Sequence, residues 1–107
     1  MGLSITEVPV ENLPIEPTLM WNGIPLFDAA DGVELIDYCW GNNIAVLGVE
    51  GFKIEGGRRV PKMDCIIDFS ASLNEEGFAK KSVEACRTII ESIDSSDVLM
   101  EFLLVKV

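Results

Sequence analysis

Residues 44–69, IAVLGVEGFKIEGGRRVPKMDCIIDF, contain two strand-like runs on either side of a glycine-rich turn. Ile44–Ile54 and Val60–Phe69 are rich in β-branched and aromatic residues, which pack well on a pleated surface. The residues between them, EGGR at 55–58, have the composition of a tight hairpin turn. Proline cannot donate a ladder hydrogen bond, so Pro61 indicates an edge strand. The stretch predicts an antiparallel β-hairpin.

The segment before the hairpin, Ala29–Gly41, has the apolar spacing of an amphipathic helix. Asp28 is a suitable N-cap, and the Gly-Asn-Asn sequence at 41–43 ends the pattern. The spacing assigns the buried face to Ala29, Val33, Ile36 and Trp40. A helix packed against the sheet is therefore expected before the hairpin.

The segment after the hairpin predicts a second helix and a last strand. Ser72–Glu75 has the spacing of a capping box, which opens a helix as far as about Ile93. In Val98–Val107 only Glu101 and Lys106 interrupt the apolar run, which is typical of an interior strand. This strand can pair with the second hairpin strand in parallel or with the first in antiparallel orientation, and we expect the antiparallel arrangement.

Residues 1–27 contain four prolines, a density that opposes helix and central strand and predicts an extended arm packed on the domain. A turn is expected near Trp21-Asn22-Gly23. The whole pattern predicts one α+β domain over residues 1–107. We expect a three-stranded, mainly antiparallel sheet, made of the hairpin and the C-terminal strand, packed with two helices. The predicted order is α-β-β-α-β after the proline-rich N-terminal arm.

Charge is distributed unevenly along the chain. The net charge is −10, and every Lys and Arg lies at or beyond Lys53, so residues 1–52 hold eight acids and no base. Nucleic acids and anionic membranes require a basic footprint, so neither is expected as a partner. The asymmetry favours a basic protein partner.

The compartment predicted from the sequence is the cytoplasm. No apolar run reaches the roughly 18 residues that span a bilayer, and the first residues lack the basic start of a secretory signal. Three cysteines without CxxC spacing are typical of reduced, buried thiols. The sequence leaves the oligomeric state open, and a non-catalytic subunit of a larger assembly is one alternative.

Catalytic chemistry has little support in the sequence. The chain contains no histidine, which removes the commonest general base and the commonest transition-metal ligand. We therefore expect no enzymatic activity and no cofactor. One alternative is a carboxylate-dependent metal enzyme, because Glu50, Asp64 and Asp68 lie on adjacent predicted strands and carboxylate oxygens bind Mg²⁺.

The candidate partner-binding residues lie on the first helix and on the arm. Oppositely charged residues four positions apart stabilise a helix, but the first helix has acids without any such base. This uncompensated repulsion favours a face that meets a basic partner. Trp21 on the arm either anchors an interface or pins the arm to the core. The candidate set is Glu11, Glu16, Trp21, Asp31, Glu34, Asp37 and Tyr38.

The stretch Ile44–Phe52, following the helix that ends at Tyr38-Cys39-Trp40, is similar to small immunity-type proteins of bacterial contact-dependent growth inhibition systems. The resemblance covers residues 24–70. It implies a tight complex with the basic toxin domain of a neighbouring gene, often a nuclease, whose active site or adjacent surface the immunity protein masks. The acidic residues would then imitate the phosphates that a nuclease binds.

Overall fold

The computed structural model describes residues 6–73, 75–93 and 97–106 of the chain. Single turns of 3₁₀ helix lie at Val10–Asn12 and Ser70–Ser72. Within the described ranges the strands and helices are, in order, β1 (Thr6–Val8), β2 (Leu19–Trp21), β3 (Ile24–Leu26), α1 (Ala29–Gly41), β4 (Ile44–Glu55), β5 (Arg58–Asp68), α2 (Phe78–Glu91) and β6 (Leu99–Lys106).

The main sheet of the described residues contains four antiparallel strands in the order β1-β6-β4-β5. The α+β class, with two helices and an antiparallel sheet, is confirmed. The predicted number of three strands is wrong, and so is the predicted element order, because the arm contributes strands before α1. β2 and β3 form a separate hairpin whose turn, Asn22-Gly23, has positive φ at both residues and lies where the turn was predicted.

The fourth strand of the sheet, β1, comes from the arm. It pairs Val8 with Leu104 on the edge of β6 that faces away from β4. β6 is too apolar for an exposed edge, so this second edge needs a partner. Further along the same edge, Phe27 and Met100 exchange backbone hydrogen bonds of 3.0 and 2.8 Å. The arm covers this edge of β6 in two short pieces. The sequence did not predict β1 as a strand, because the proline density of the arm opposes strand formation.

The long β4–β5 hairpin is present as predicted. Its turn residues Gly56 and Gly57 have φ of 57° and 78°, the left-handed conformation that a tight hairpin turn requires. β5 is an edge strand of the sheet, in agreement with the position of Pro61.

A bulge in β5 interrupts this hairpin near its middle. Glu50 pairs with Ile66 but Phe52 pairs with Pro61, so residues 62–65 lie opposite Gly51 alone. A Cβ atom on Gly51 would lie 2.5 Å from the Cβ of Cys65. Glycine at this position therefore allows the bulge to lie directly against β4.

Helix α1 covers Ala29–Gly41 as predicted, and the Oδ1 atom of Asp28 accepts a hydrogen bond from the Asp31 N–H at 2.8 Å. The predicted core position of Trp40 is wrong, because its side chain is 42% exposed and contacts the Lys80 ammonium. The buried residues of α1 are Gly32, Leu35, Ile36 and Cys39.

A close approach at Gly32 explains the different face of α1. A Cβ atom there would lie 3.1 Å from the Cε of Met100 on β6. The helix therefore packs on the sheet through a residue without a side chain. The spacing of apolar side chains gives no signal for a buried glycine. The buried face predicted from the sequence was therefore partly wrong.

Helix α2 begins at Phe78, well after the predicted start at Ser72. Gly77 has φ of 74°, a left-handed conformation that prevents a continuous helix across this position. Asn74 of the predicted capping box lies outside the described residues. Both helices pack on one face of the sheet, where the core contains Leu35, Ile36, Cys39, Val46, Val49, Val83, Cys86, Ile89, Ile90, Met100, Phe102 and Leu104.

Ser82 joins α2 to the sheet at the point where β5 ends. Phe69 donates the last backbone hydrogen bond from the β5 side to Leu47 O, at 2.8 Å. The N–H of Val46, the residue before Leu47 on β4, donates to the Ser82 Oγ at 3.0 Å, and this hydroxyl donates to Ala79 O at 2.9 Å. Among the described residues Ser82 is the buried polar side chain, so it satisfies a backbone group that water does not reach.

Replacing Ser82 with Ala should lower the free energy of unfolding by about 1–3 kcal/mol, because the buried Val46 N–H loses its acceptor. Denaturant unfolding followed by circular dichroism measures this change. Thr88→Ala is the matched control, since the Thr88 hydroxyl is on the exposed side of α2 and donates to the carbonyl of Glu84. Equal losses in the two variants would contradict the role assigned to Ser82.

Candidate functional site

The sheet has one face without helices. Val49 and Phe102 lie opposite each other on β4 and β6, and both are buried in the core beneath the helices. Successive residues of a strand point to opposite faces, so Glu50 and Glu101, which also lie opposite each other, point away from the core. The residues of this open sheet face are Gly48, Glu50, Ile66, Asp68, Glu101 and Leu103.

A groove of about 600 Å³ runs along the open sheet face, between the sheet and the arm. The arm side is formed by residues 7–11 and 23–25, and the floor includes Ile66 and Leu103, which are 36% and 43% exposed. Among the residues that the structure describes, no Lys or Arg lines it. Its acidic residues are Glu7, Glu11, Glu50, Asp68 and Glu101, and we call it the acidic groove.

Arg59 holds two of these carboxylates together at one end of the acidic groove. Glu50 and Glu101 lie directly opposite each other, an arrangement of like charges that destabilises a sheet. The Arg59 Nη1 lies 3.0 Å from the Glu101 Oε1, and its Nη2 lies 3.2 Å from the Glu50 Oε1. The Arg59 Nη2 atom has no hydrogen-bond partner among the described residues, so its contact with Glu50 is electrostatic. One guanidinium thus bridges the opposed pair.

Aromatic rings fix the position of this guanidinium. The Arg59 Cζ lies 3.9 Å above the ring centroid of Phe52 and 5.9 Å from that of Trp21. The two rings pack at a centroid distance of 6.4 Å. A guanidinium over an aromatic face gains cation–π stabilisation, so the arm hairpin and the sheet together preorganise Arg59.

The centre of the acidic groove is a notch in the sheet surface. Asp68, Gly48 and Leu103 lie side by side on β5, β4 and β6, and the middle position has no side chain. A Cβ atom on Gly48 would have a single close neighbour, Ile67 O at 3.4 Å, so the space in front of it is open. The Ser70 N–H donates to the Asp68 Oδ1 at 2.9 Å and lowers the pKa of that carboxyl, which keeps it ionised.

The predicted arm residues lie close to this groove. Glu11 lines the acidic groove, and together with Glu16 and Met20 it also lines an adjoining cavity of about 470 Å³. Trp21 is half-buried against Phe52, so it pins the arm hairpin to the sheet. The two arm carboxylates therefore line adjoining parts of one surface, while the tryptophan has a mainly structural position.

The predicted acids of α1 lie elsewhere, and none of them lines the acidic groove. Asp31 accepts a hydrogen bond from the Thr18 hydroxyl, and Asp37 forms an ion pair with Arg87 of α2. The repulsion expected on this helix is therefore compensated at Asp37, by a base that belongs to another helix. Glu34 is exposed and Tyr38 is half-buried.

The predicted carboxylate metal site is not formed. Among the described residues no group of three metal-binding side chains is close enough to hold an ion. Glu50 contacts Arg59 instead, and Asp64 lies on the bulge opposite Gly51, away from the row that contains Asp68.

Sequence reasoning missed Glu7, Glu101, Arg59 and Gly48 as parts of the site. Glu101 carried a usable signal, because it is a charged residue within an otherwise apolar strand. Glu7 and Arg59 carried none, since their positions depend on how the arm and the β5 bulge fold against the sheet.

Removing the charge of Arg59 should lower the free energy of unfolding by about 1 kcal/mol near neutral pH, because Glu50 and Glu101 then repel each other. Denaturant melts of Arg59→Gln measure the loss. The second change Glu101→Gln should restore part of it. Arg58→Gln, an exposed neighbour with the same charge, is the control, and an equal loss there would contradict the bridging role.

The three cysteines are buried and reduced. Burial raises the pKa of the Cys39 and Cys86 thiols to about 12 and also raises that of Cys65. A thiol needs the thiolate form to react, so these side chains are structural.

At pH 8 only about one in 10⁴ of the Cys39 and Cys86 thiols would be ionised, so the native chain should react very slowly with a chromogenic disulfide reagent. Denaturant should expose all three thiols to rapid reaction. Glu84→Cys on the exposed side of α2 is the positive control. Rapid labelling of the native wild-type chain would contradict this assignment.

None of the helices in the described part of the chain combines the length and apolar character needed to cross a membrane. Comparison of the chain with models of known protein families, with curated protein sequences and with solved structures gave no match in any of the three.

Proposed function

We propose that the chain is a non-catalytic immunity protein that binds and neutralises a basic toxin domain through the acidic groove. The observation that carries the proposal is the composition of this groove: within the described part of the chain, five carboxylates line it and one guanidinium, that of Arg59, lies at its end. Such a surface is complementary to a strongly basic protein and repels nucleic acid. A nuclease domain, whose active-site surface binds phosphates, is the partner class that fits best.

The acidic groove combines charge with apolar contact. Ile66 and Leu103 are exposed between the carboxylates, so a partner that covers the groove also removes apolar surface from water. Charged groups at an interface mainly increase the association rate and the specificity, whereas buried apolar contacts slow dissociation. Both properties are required of an inhibitor that must capture a toxin quickly and retain it.

The proposed contact surface extends from the sheet to the arm and does not centre on α1. Glu11 joins the acidic groove to the adjoining cavity beside Glu16. A standard interface buries about 800 Å² on each partner, and the proposed contact surface includes both regions. We also propose that the chain acts in the cytoplasm, because it must bind the toxin in the compartment that the toxin enters or is made in.

Expression of the toxin domain encoded beside this gene should stop the growth of a bacterial host, and co-expression of this chain should restore it. The purified proteins should form an equimolar complex whose association slows steeply with added salt. A harmless neighbouring gene product, or toxicity that the chain leaves unchanged, would contradict the proposed function.

Two doubly substituted variants locate the binding surface. Glu11→Gln with Asp68→Asn removes two charges from the acidic groove, and Glu34→Gln with Glu84→Gln removes two from exposed helix positions. At low salt, stopped-flow mixing with the toxin domain should show association about tenfold slower for the first variant and less than twofold slower for the second. Equal slowing would assign the effect to net charge and exclude the groove as the contact surface.

A further inference from the structure

We infer that the notch above Gly48 receives an arginine side chain from an extended segment of the partner protein, an inference that rests on the proposed function. The notch is bounded by Asp68 and Leu103 in its own row and by Glu50 and Glu101 in the next row of the open sheet face. It lies within the acidic groove, which no Lys or Arg of the described residues lines, although Arg59 pairs with Glu50 and Glu101 at its end. Charge complementarity therefore selects a cationic side chain as its occupant.

Arg59 shows how this sheet face accommodates a guanidinium. It pairs with two carboxylates on neighbouring strands while its plane rests on the apolar ring of Phe52. One row away, the notch has the carboxylate of Asp68 on one side of Gly48 and the exposed aliphatic side chain of Leu103 on the other. A second guanidinium can thus find the same combination of charge and apolar contact.

The same features favour arginine over lysine. A guanidinium is planar, donates hydrogen bonds to carboxylates in a fixed fork and is weakly hydrated, so it is suited to a partly apolar site. A lysine ammonium is compact and strongly hydrated, and it gains little from the Ile66 and Leu103 floor. Preference for arginine therefore distinguishes a shaped site from a general acidic surface.

The depth of the notch depends on Gly48. Its φ lies outside the left-handed region, and the nearest atom to an added Cβ is Ile67 O at 3.4 Å, so alanine should fold there. The added methyl group would occupy the space in front of the strand without changing any charge. Gly41, which has nothing within 4 Å of an added Cβ, provides a control substitution of the same kind.

Two capped peptides, identical except that one contains arginines and the other lysines between glycines, provide the probe. Titration of ¹⁵N-labelled full-length chain should shift the amide signals of Gly48, Asp68 and Leu103, and the arginine peptide should bind about tenfold more tightly. Gly48→Ala and Asp68→Asn should each weaken that peptide about fivefold or more, whereas Gly41→Ala and Glu34→Gln should leave its affinity unchanged.

Equal affinity for the two peptides, or amide shifts confined to α1 or α2, would overturn the arginine inference. That outcome is separable from failure of the proposed function. If the chain protects growth and the groove variants slow toxin association while the peptides bind equally, only the arginine site is wrong. If the chain does not protect growth, the proposed function is wrong, whatever the peptides show.

Discussion

The antiparallel pairing of β4 with β5 along one edge and with β6 along the other determines the two faces of this molecule. Because side chains alternate along each strand, the register that turns Val49 and Phe102 toward the helices also turns Glu50 and Glu101 away from them. A slip of one residue would place carboxylates in the core. The core and the acidic face are therefore two consequences of one register.

The arm converts an open sheet face into a groove. It covers the second edge of β6 in two places, through Val8 and through Phe27, and the chain between them leaves the plane of the sheet. Residues 7–11 and 23–25 form the arm side of the groove and bring Glu7 and Glu11 to the carboxylates of the sheet. The short backbone pairings that protect an apolar edge thus also complete the candidate site.

Some of the negative charge on each face of the sheet is balanced within the fold. Arg59 bridges Glu50 and Glu101, and on the other face Arg87 pairs with Asp37. The first pairing joins three strands of the sheet, and the second joins the two helices. What remains unbalanced lies along the acidic groove, where a basic partner would supply the missing charge.

The β4–β5 hairpin, the bounds and cap of α1, the apolar character of β6 and the excess of acids could all be predicted from the amino-acid sequence, because turn residues, caps and alternation act between near neighbours. Which acids share a surface depends on the folded arrangement of the chain. It gave Asp37 a partner in Arg87, moved Trp40 outward, added β1 to the sheet and gathered Glu7, Glu11, Asp68 and Glu101 around one groove. These outcomes depend on contacts between residues far apart in the chain, which no local pattern records.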